Sequence, residues 1–169
     1  MANYAVVRTD NLAGTDVRSM LVSIEYMGAD GNTPTAIENG NVLKVGALID
    51  GEREIRVGSA PAASDDLKDI VLVASPEIMY DPMSYSLDKF INEAGAPARG
   101  YHLHPADIFS VTAEALDAAA DIEVGQIVEL QAGTKLKVVA SATSGSTTVG
   151  TITHIETVGK YTFYAILVG

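Results

Sequence analysis

Residues 124–142 read V-G-Q-I-V-E-L-Q-A-G-T-K-L-K-V-V-A-S-A. Ile127, Val128 and Leu130, then Leu136, Val138 and Val139, alternate loosely with polar residues. A period near two puts apolar side chains on one face of an extended chain, so the stretch predicts two half-buried strands. Ala132-Gly133-Thr134 supplies the reversal between them, because glycine takes up a positive φ without steric cost. Residues 40–60, G-N-V-L-K-V-G-A-L-I-D-G-E-R-E-I-R-V-G-S-A, repeat the design. Gly40-Asn41-Val42-Leu43 aligns with Gly125-Gln126-Ile127-Val128, and Arg53-Glu54-Ile55-Arg56-Val57 aligns with Thr134-Lys135-Leu136-Lys137-Val138. Each unit runs through a loop of small residues into a further apolar strand, Asp69–Ala74 or Val149–Ile155. The expected fold is mainly β: a small barrel or sandwich built from two hairpin-centred units, near 40–74 and 124–169.

A chain of 169 residues with 47% hydrophobic content is long enough for one core, or for two small β lobes sharing one. The formal charge of -11 comes from 22 acids against 11 bases spread along the whole sequence. Phosphate binding depends on clustered Lys and Arg, and no basic run here exceeds a pair, so neither nucleic acid nor an anionic membrane is an expected partner. Cysteine is absent, which removes disulfide and thiolate chemistry. The start, Met1-Ala2-Asn3-Tyr4, lacks the basic and apolar regions of a signal peptide, and no apolar stretch reaches bilayer length. Synthesis in the cytoplasm is the expectation.

Taken in order, Tyr4–Thr9 is a β-prone run, cut off by the turn residues of Asp10–Asp16. This predicts an N-terminal arm over 1–16 and a compact body over 17–169. Alternation resumes over Val17–Tyr26, and Met27–Asn39 reads as a surface loop. Ser86–Glu93 is the one helix candidate, with Leu87, Phe90 and Ile91 at helical spacing, a serine cap before it and Gly95 after it. Arg99–Leu103 and Asp107–Thr112 read as strands. Ala113–Asp121 reads as a linker or a single helical turn, and the last hairpin turns near Val158-Gly159-Lys160. The loops Ser59–Asp66 and Ser141–Thr148 are expected to splay outward. One connected core is expected from Val42, Val45, Ile55, Val57, Val71, Val73, Leu130, Leu136, Val138, Ile152, Ile155 and Ile166.

Residues able to carry chemistry are few. His102 and His104 share one face of a strand, and His154 with Asp107 would be needed to complete a metal site. Two surface histidines at a strand end are the simpler reading. Glu77, Asp81 and Asp88, like Asp65 and Asp66, lack the spacing of a calcium loop and have no nucleophile and base beside them. There is neither a G-x-S-x-G elbow nor a glycine-rich phosphate loop. No cofactor and no catalytic residue is therefore assigned. Arg99-Gly100-Tyr101 admits two readings: an exposed interaction anchor, or a buried tyrosine beside an ion-paired arginine.

Several stretches together resemble a family of head decoration or head-associated structural proteins of tailed bacteriophages. They are Met1–Asp10, the connector Ala74–Asp81, the block Asn92–Tyr101, Asp107–Thr112 and the hairpin unit Val128–Thr148. The resemblance implies a non-enzymatic virion protein that binds the assembled capsid surface and decorates or stabilises it, with the major capsid protein as partner. A homo-oligomer is expected, a trimer first, because a closed symmetric assembly matches a quasi-symmetric lattice. On this reading Tyr4, Val6, Val7 and Arg8 of the arm would pair with a neighbouring subunit, and Tyr80, Arg99 and Tyr101 are further candidate contacts. Two other classes share the composition. One is a phage tail or baseplate structural protein. The other is a carbohydrate-binding module stacking sugars on Tyr80, Tyr85 and Tyr101.

Overall fold

The structure is a computed structural model, which describes residues 3–12, 20–80 and 86–169. Its strands are β1 (Val7–Asn11), β2 (Leu21–Tyr26), β3 (Val42–Leu48), β4 (Ile55–Ser59), β5 (Ile70–Val73), β6 (Ala98–His102), β7 (Ile108–Val111), β8 (Leu116–Ala118), β9 (Ile127–Glu129), β10 (Leu136–Val139), β11 (Thr148–Val158) and β12 (Tyr161–Val168). Five of them close a barrel in the order β2-β4-β3-β5-β6, and the other seven form a sheet in the order β1-β7-β12-β11-β9-β10-β8. The expected β-barrel or sandwich built on two hairpins is what the chain forms.

The hairpin repeat extends to the whole of each unit. In the barrel, β2 runs parallel to β4, β4 pairs with β3, β3 with β5 and β5 with β6, the last three antiparallel. In the sheet, β8 runs parallel to β10, β10 pairs with β9, β9 with β11 and β11 with β12, again antiparallel. The connectivity is the same, although the register is not: the aligned residues Lys44 and Glu129 face Ser59 and Lys137. The units differ in closure. β6 pairs with β2 and shuts the barrel, whereas β12 pairs with β7, which in turn carries β1. The second unit stays open and lays one apolar face on the barrel wall.

That arrangement makes two cores rather than the single one expected. Val42, Ile70, Leu72, Tyr101 and Leu103 from the outside of the barrel pack with Phe109, Val111, Val128, Leu130, Leu136, Ile152 and Ile166 of the sheet. Inside the barrel, Ile24, Ile37, Leu43, Val71, Val73 and Ala98 form a separate cluster, with Val22, Tyr26 and Val45 against it. All four residues of β5 are buried, and alternate ones serve alternate cores. A five-stranded barrel has little room for side chains. A Cβ on Gly58 would lie 2.8 Å from Ile24 Cγ1, and one on Gly100 would lie 2.8 Å from Val71 Cγ2.

Several expectations need correction. Ile55 and Val57 are half-buried, because the inward position on β4 falls to Gly58. The expected helix at 86–93 is only a 3-10 turn over Leu87–Lys89, since Phe90 and Asn92 return to extended backbone and Asn92 bridges to Ile37. Residues 113–121 hold a 3-10 turn and then β8, a strand drawn in by β10. The two small-residue loops are tied to the body rather than splayed. Thr147 N–H donates to Ala63 O at 2.7 Å, and Gly133 N–H to Pro61 O at 3.3 Å. Val42 N–H donates to Thr134 O at 2.7 Å, joining the second hairpin's loop to the barrel. The buried Glu129 accepts from Thr143 N–H at 3.0 Å and lies 3.4 Å from Lys137 Nζ. Burial acts to raise its pKa, but the Thr143 and Lys137 contacts outweigh this and leave the carboxyl below its ordinary value.

Leu72→Ala and Leu136→Ala each empty a fully buried aliphatic site and should cost about 2–5 kcal/mol in denaturant unfolding. Ile55→Ala, at a half-buried position, should cost less than either. Equal losses for Ile55→Ala and Leu136→Ala would show that the first hairpin is packed as deeply as the second.

Candidate functional site

The N-terminal run is an edge strand of the protein's own sheet. Val7 faces Val111 and Arg8 faces Ser110 across β1 and β7. Val6 N–H donates to Thr112 Oγ1 at 3.1 Å, and Thr112 N–H returns a bond to Val6 O at 2.9 Å. Ala5, Val6 and Val7 are buried, so Val6 and Val7 do not offer their side chains to another subunit. The arm expected over 1–16 is thus part of the body as far as Leu12, and residues 13–16 lie outside the described residues. Pairing with β7 satisfies backbone groups of this strand within the chain itself. Arg8 forms an ion pair with Glu156, and its guanidinium sits 5.4 Å over the Phe163 ring.

Tyr4 is half-buried beside a polar cluster centred on Asp88. Its N–H donates to Asp88 O at 3.0 Å. The Asp88 carboxylate accepts from Lys160 Nζ at 2.8 Å, from Tyr161 Oη at 3.0 Å and from the Ser86 hydroxyl. Lys160 also reaches Ser86 Oγ at 2.8 Å, and the group borders a cleft of about 340 Å³ that Tyr4, Thr112 and Tyr164 complete. A Ser–Lys contact invites comparison with a nucleophile and its base. Here the Asp88 carboxylate raises the Lys160 pKa, keeping the ammonium protonated, so it cannot take the Ser86 proton. The Lys160 ammonium, the Ser86 hydroxyl and the Tyr161 hydroxyl hold the Asp88 carboxyl well below the usual carboxylate range. The cluster works as a latch: one carboxylate binds the tip of the β11–β12 hairpin, the 86–89 turn and, through its backbone, the N-terminus.

The remaining candidates separate. Tyr101 is buried in the larger core, which removes it as a stacking or docking face. Tyr85 lies outside the described residues. Tyr80 is 99% exposed and Ile78 71% exposed, both on the connector that follows β5. Arg99 is exposed on β6, with its N–H donating to Ser75 Oγ at 2.9 Å and its C=O accepting from Ala74 N–H at 2.9 Å. His102 is half-buried, burial pushing its imidazole pKa down, while His104 and His154 are exposed. Asp107 is turned to its own loop, where it accepts from His104 N–H at 2.9 Å. Among the described residues no group of three or more His, Cys, Asp or Glu comes together in a way that could hold a metal ion. Ile78 was missed in the sequence reading, although its place between Pro76 and Pro82 was a usable signal: prolines keep a connector out of the packed sheets.

Set against family models, curated proteins and solved structures, the chain has no match in any of the three comparisons.

Asp88→Asn should destabilise the fold by about 1.5–3 kcal/mol, the range for a hydrogen bond to a charged group. Because the folded-state pKa of Asp88 is depressed, its contribution is present above the ordinary aspartate value of 3.8 and is lost as pH falls from there toward the folded value. Thermal melts across that acid range should fall more steeply for the native protein than for Asp88→Asn. Parallel pH profiles would show that the carboxylate does not hold the latch.

Proposed function

We propose that this chain is a virion structural protein of a tailed phage, which attaches to the assembled capsid surface and decorates or stabilises it. The observation that carries the reading is the connector 74–80. It is one of the stretches that resemble the head-decoration family, and it leaves Ile78 and Tyr80 in water. Ile78 and Tyr80 lie two residues apart on one exposed connector, and tyrosine is enriched among the residues that dominate binding energy. Pro76 narrows the connector's backbone freedom, which lowers the ordering cost of docking. The anchor therefore moves from the N-terminal strand to this connector. The partner is the major capsid protein, and the protein acts as a homo-oligomer, a trimer where it sits on a threefold position of the shell. The charge of -11 keeps free copies apart until the lattice presents a complementary surface.

The test is co-sedimentation with heads of the encoding phage assembled without this protein. The native protein should pellet with heads, and Ile78→Ser/Tyr80→Ser should lose most of that binding while melting at an unchanged temperature. Full occupancy by the double variant would remove the connector as the anchor. Pelleting with purified tails and not heads would place the protein in the tail or baseplate instead. Deleting residues 2–9 should lower thermal stability sharply, because it strips Ala5, Val6 and Val7 from the core.

A further inference from the structure

The acidic surface of this protein has one local exception. Among the described residues, the cations come paired with acids almost throughout: Arg8 with Glu156, Lys44 with Asp65, Lys68 with Asp66, Lys137 with Glu129, and Lys89 and Lys160 with Asp88. Among the described residues Arg53, Arg56 and Arg99, like Lys135 elsewhere, are in no ion pair, although acids outnumber bases two to one in the chain. All three line one groove of about 550 Å³ on the barrel. The sequence contains five arginines, so most of them meet in this one place.

Barrel closure brings them together. Ser23 on β2 faces Ile55 on β4 on one side and Arg99 on β6 on the other, while Ile24 faces Arg56. Residues 53–56 and residue 99 are far apart in sequence and become neighbours only because β2 pairs with both flanking strands. Arg56 donates to Gly46 O at 3.2 Å, which holds its stem while leaving guanidinium N–H groups for a ligand. The groove also presents Leu48, which is 45% exposed.

We propose that this groove binds an acidic protein segment: a short extended stretch whose Asp or Glu carboxylates engage Arg53, Arg56 and Arg99 while an apolar side chain rests on Leu48. Guanidinium forks match carboxylates in paired, planar geometry, which lysines do not. Three unpaired like charges in one groove repel each other, and an anionic ligand relieves that repulsion. A nucleic acid fits less well. Among the described residues that line the groove there is no aromatic side chain on which a base could stack. The proposal stands apart from the capsid reading and does not require it.

The test is fluorescence anisotropy with the full chain and a labelled peptide alternating Asp and Glu with Leu, against the same peptide with every acid replaced by its amide. The acidic peptide should bind saturably, the amide peptide should not, and added salt should weaken binding. Arg56→Glu/Arg99→Glu should weaken it by about tenfold or more, as should Arg53→Gln/Arg56→Gln, with unchanged melting temperatures; these exposed side chains belong to neither core. Lys135→Glu, which changes the net charge equally per site in the second hairpin's loop, should bind as the native protein does. No saturable binding, equal binding of both peptides, undiminished binding by the arginine variants, or tighter binding of an oligothymidylate would each overturn the proposal.

Discussion

Four consecutive buried residues, Ile70, Val71, Leu72 and Val73, join the two halves of this molecule, because successive side chains on a strand point to opposite faces. Ile70 and Leu72 enter the core between barrel and sheet, and Val71 and Val73 enter the barrel. Neither core can be loosened at β5 without disturbing the other. Val42 and Leu43 on the neighbouring β3 divide in the same way. A strand buried on both faces must be apolar throughout, which is why β5 is an unbroken I-V-L-V run.

Around that shared wall, the contacts between the units are mostly backbone bonds from loops. The bonds of Thr147 to Ala63, Gly133 to Pro61 and Val42 to Thr134 tie each unit's turns to the other. A loop held in this way satisfies groups that would otherwise need water, so small residues there reflect close approach rather than freedom. The Asp88 latch does the same at another place, drawing the N-terminus and the β11–β12 tip onto one turn. Both devices act across long sequence separations.

The duplicated connectivity frames the functional argument. Two units of one connectivity differ in how they end: β6 closes the first, whereas β12 of the second pairs with β7, which carries β1. Closure leaves the first unit without free strand edges and collects arginines from β4, its preceding turn and β6 on one wall. It also places the connector after β5 on the surface, where Arg99 fixes its start through Ser75 and Ala74. The two surfaces for which binding is proposed, one apolar and aromatic, one cationic, both belong to the closed unit.

Strand type, hairpin positions and the repeat were legible in the sequence because each depends on local period and turn chemistry: Ile127 to Val139 alternate, and Gly133 and Gly159 mark reversals. The exposure of Tyr80 and the burial of Val71 were legible for the same reason, since one follows Pro76 and the other lies in an apolar run. What the tertiary structure alone decided is what each face meets. Ile55 has the same pattern as Leu136, yet only Leu136 is fully buried. Leu87, Phe90 and Ile91 have helical spacing, yet the bridge from Asn92 to Ile37 keeps that segment extended. Val6 and Val7 look like a free arm until β7 supplies a partner. Arg53, Arg56 and Arg99 are scattered cations until β2 pairs with β4 and β6. Local sequence sets how a segment prefers to extend or turn, whereas burial and charge clustering arise from pairings between distant segments, which no local period encodes.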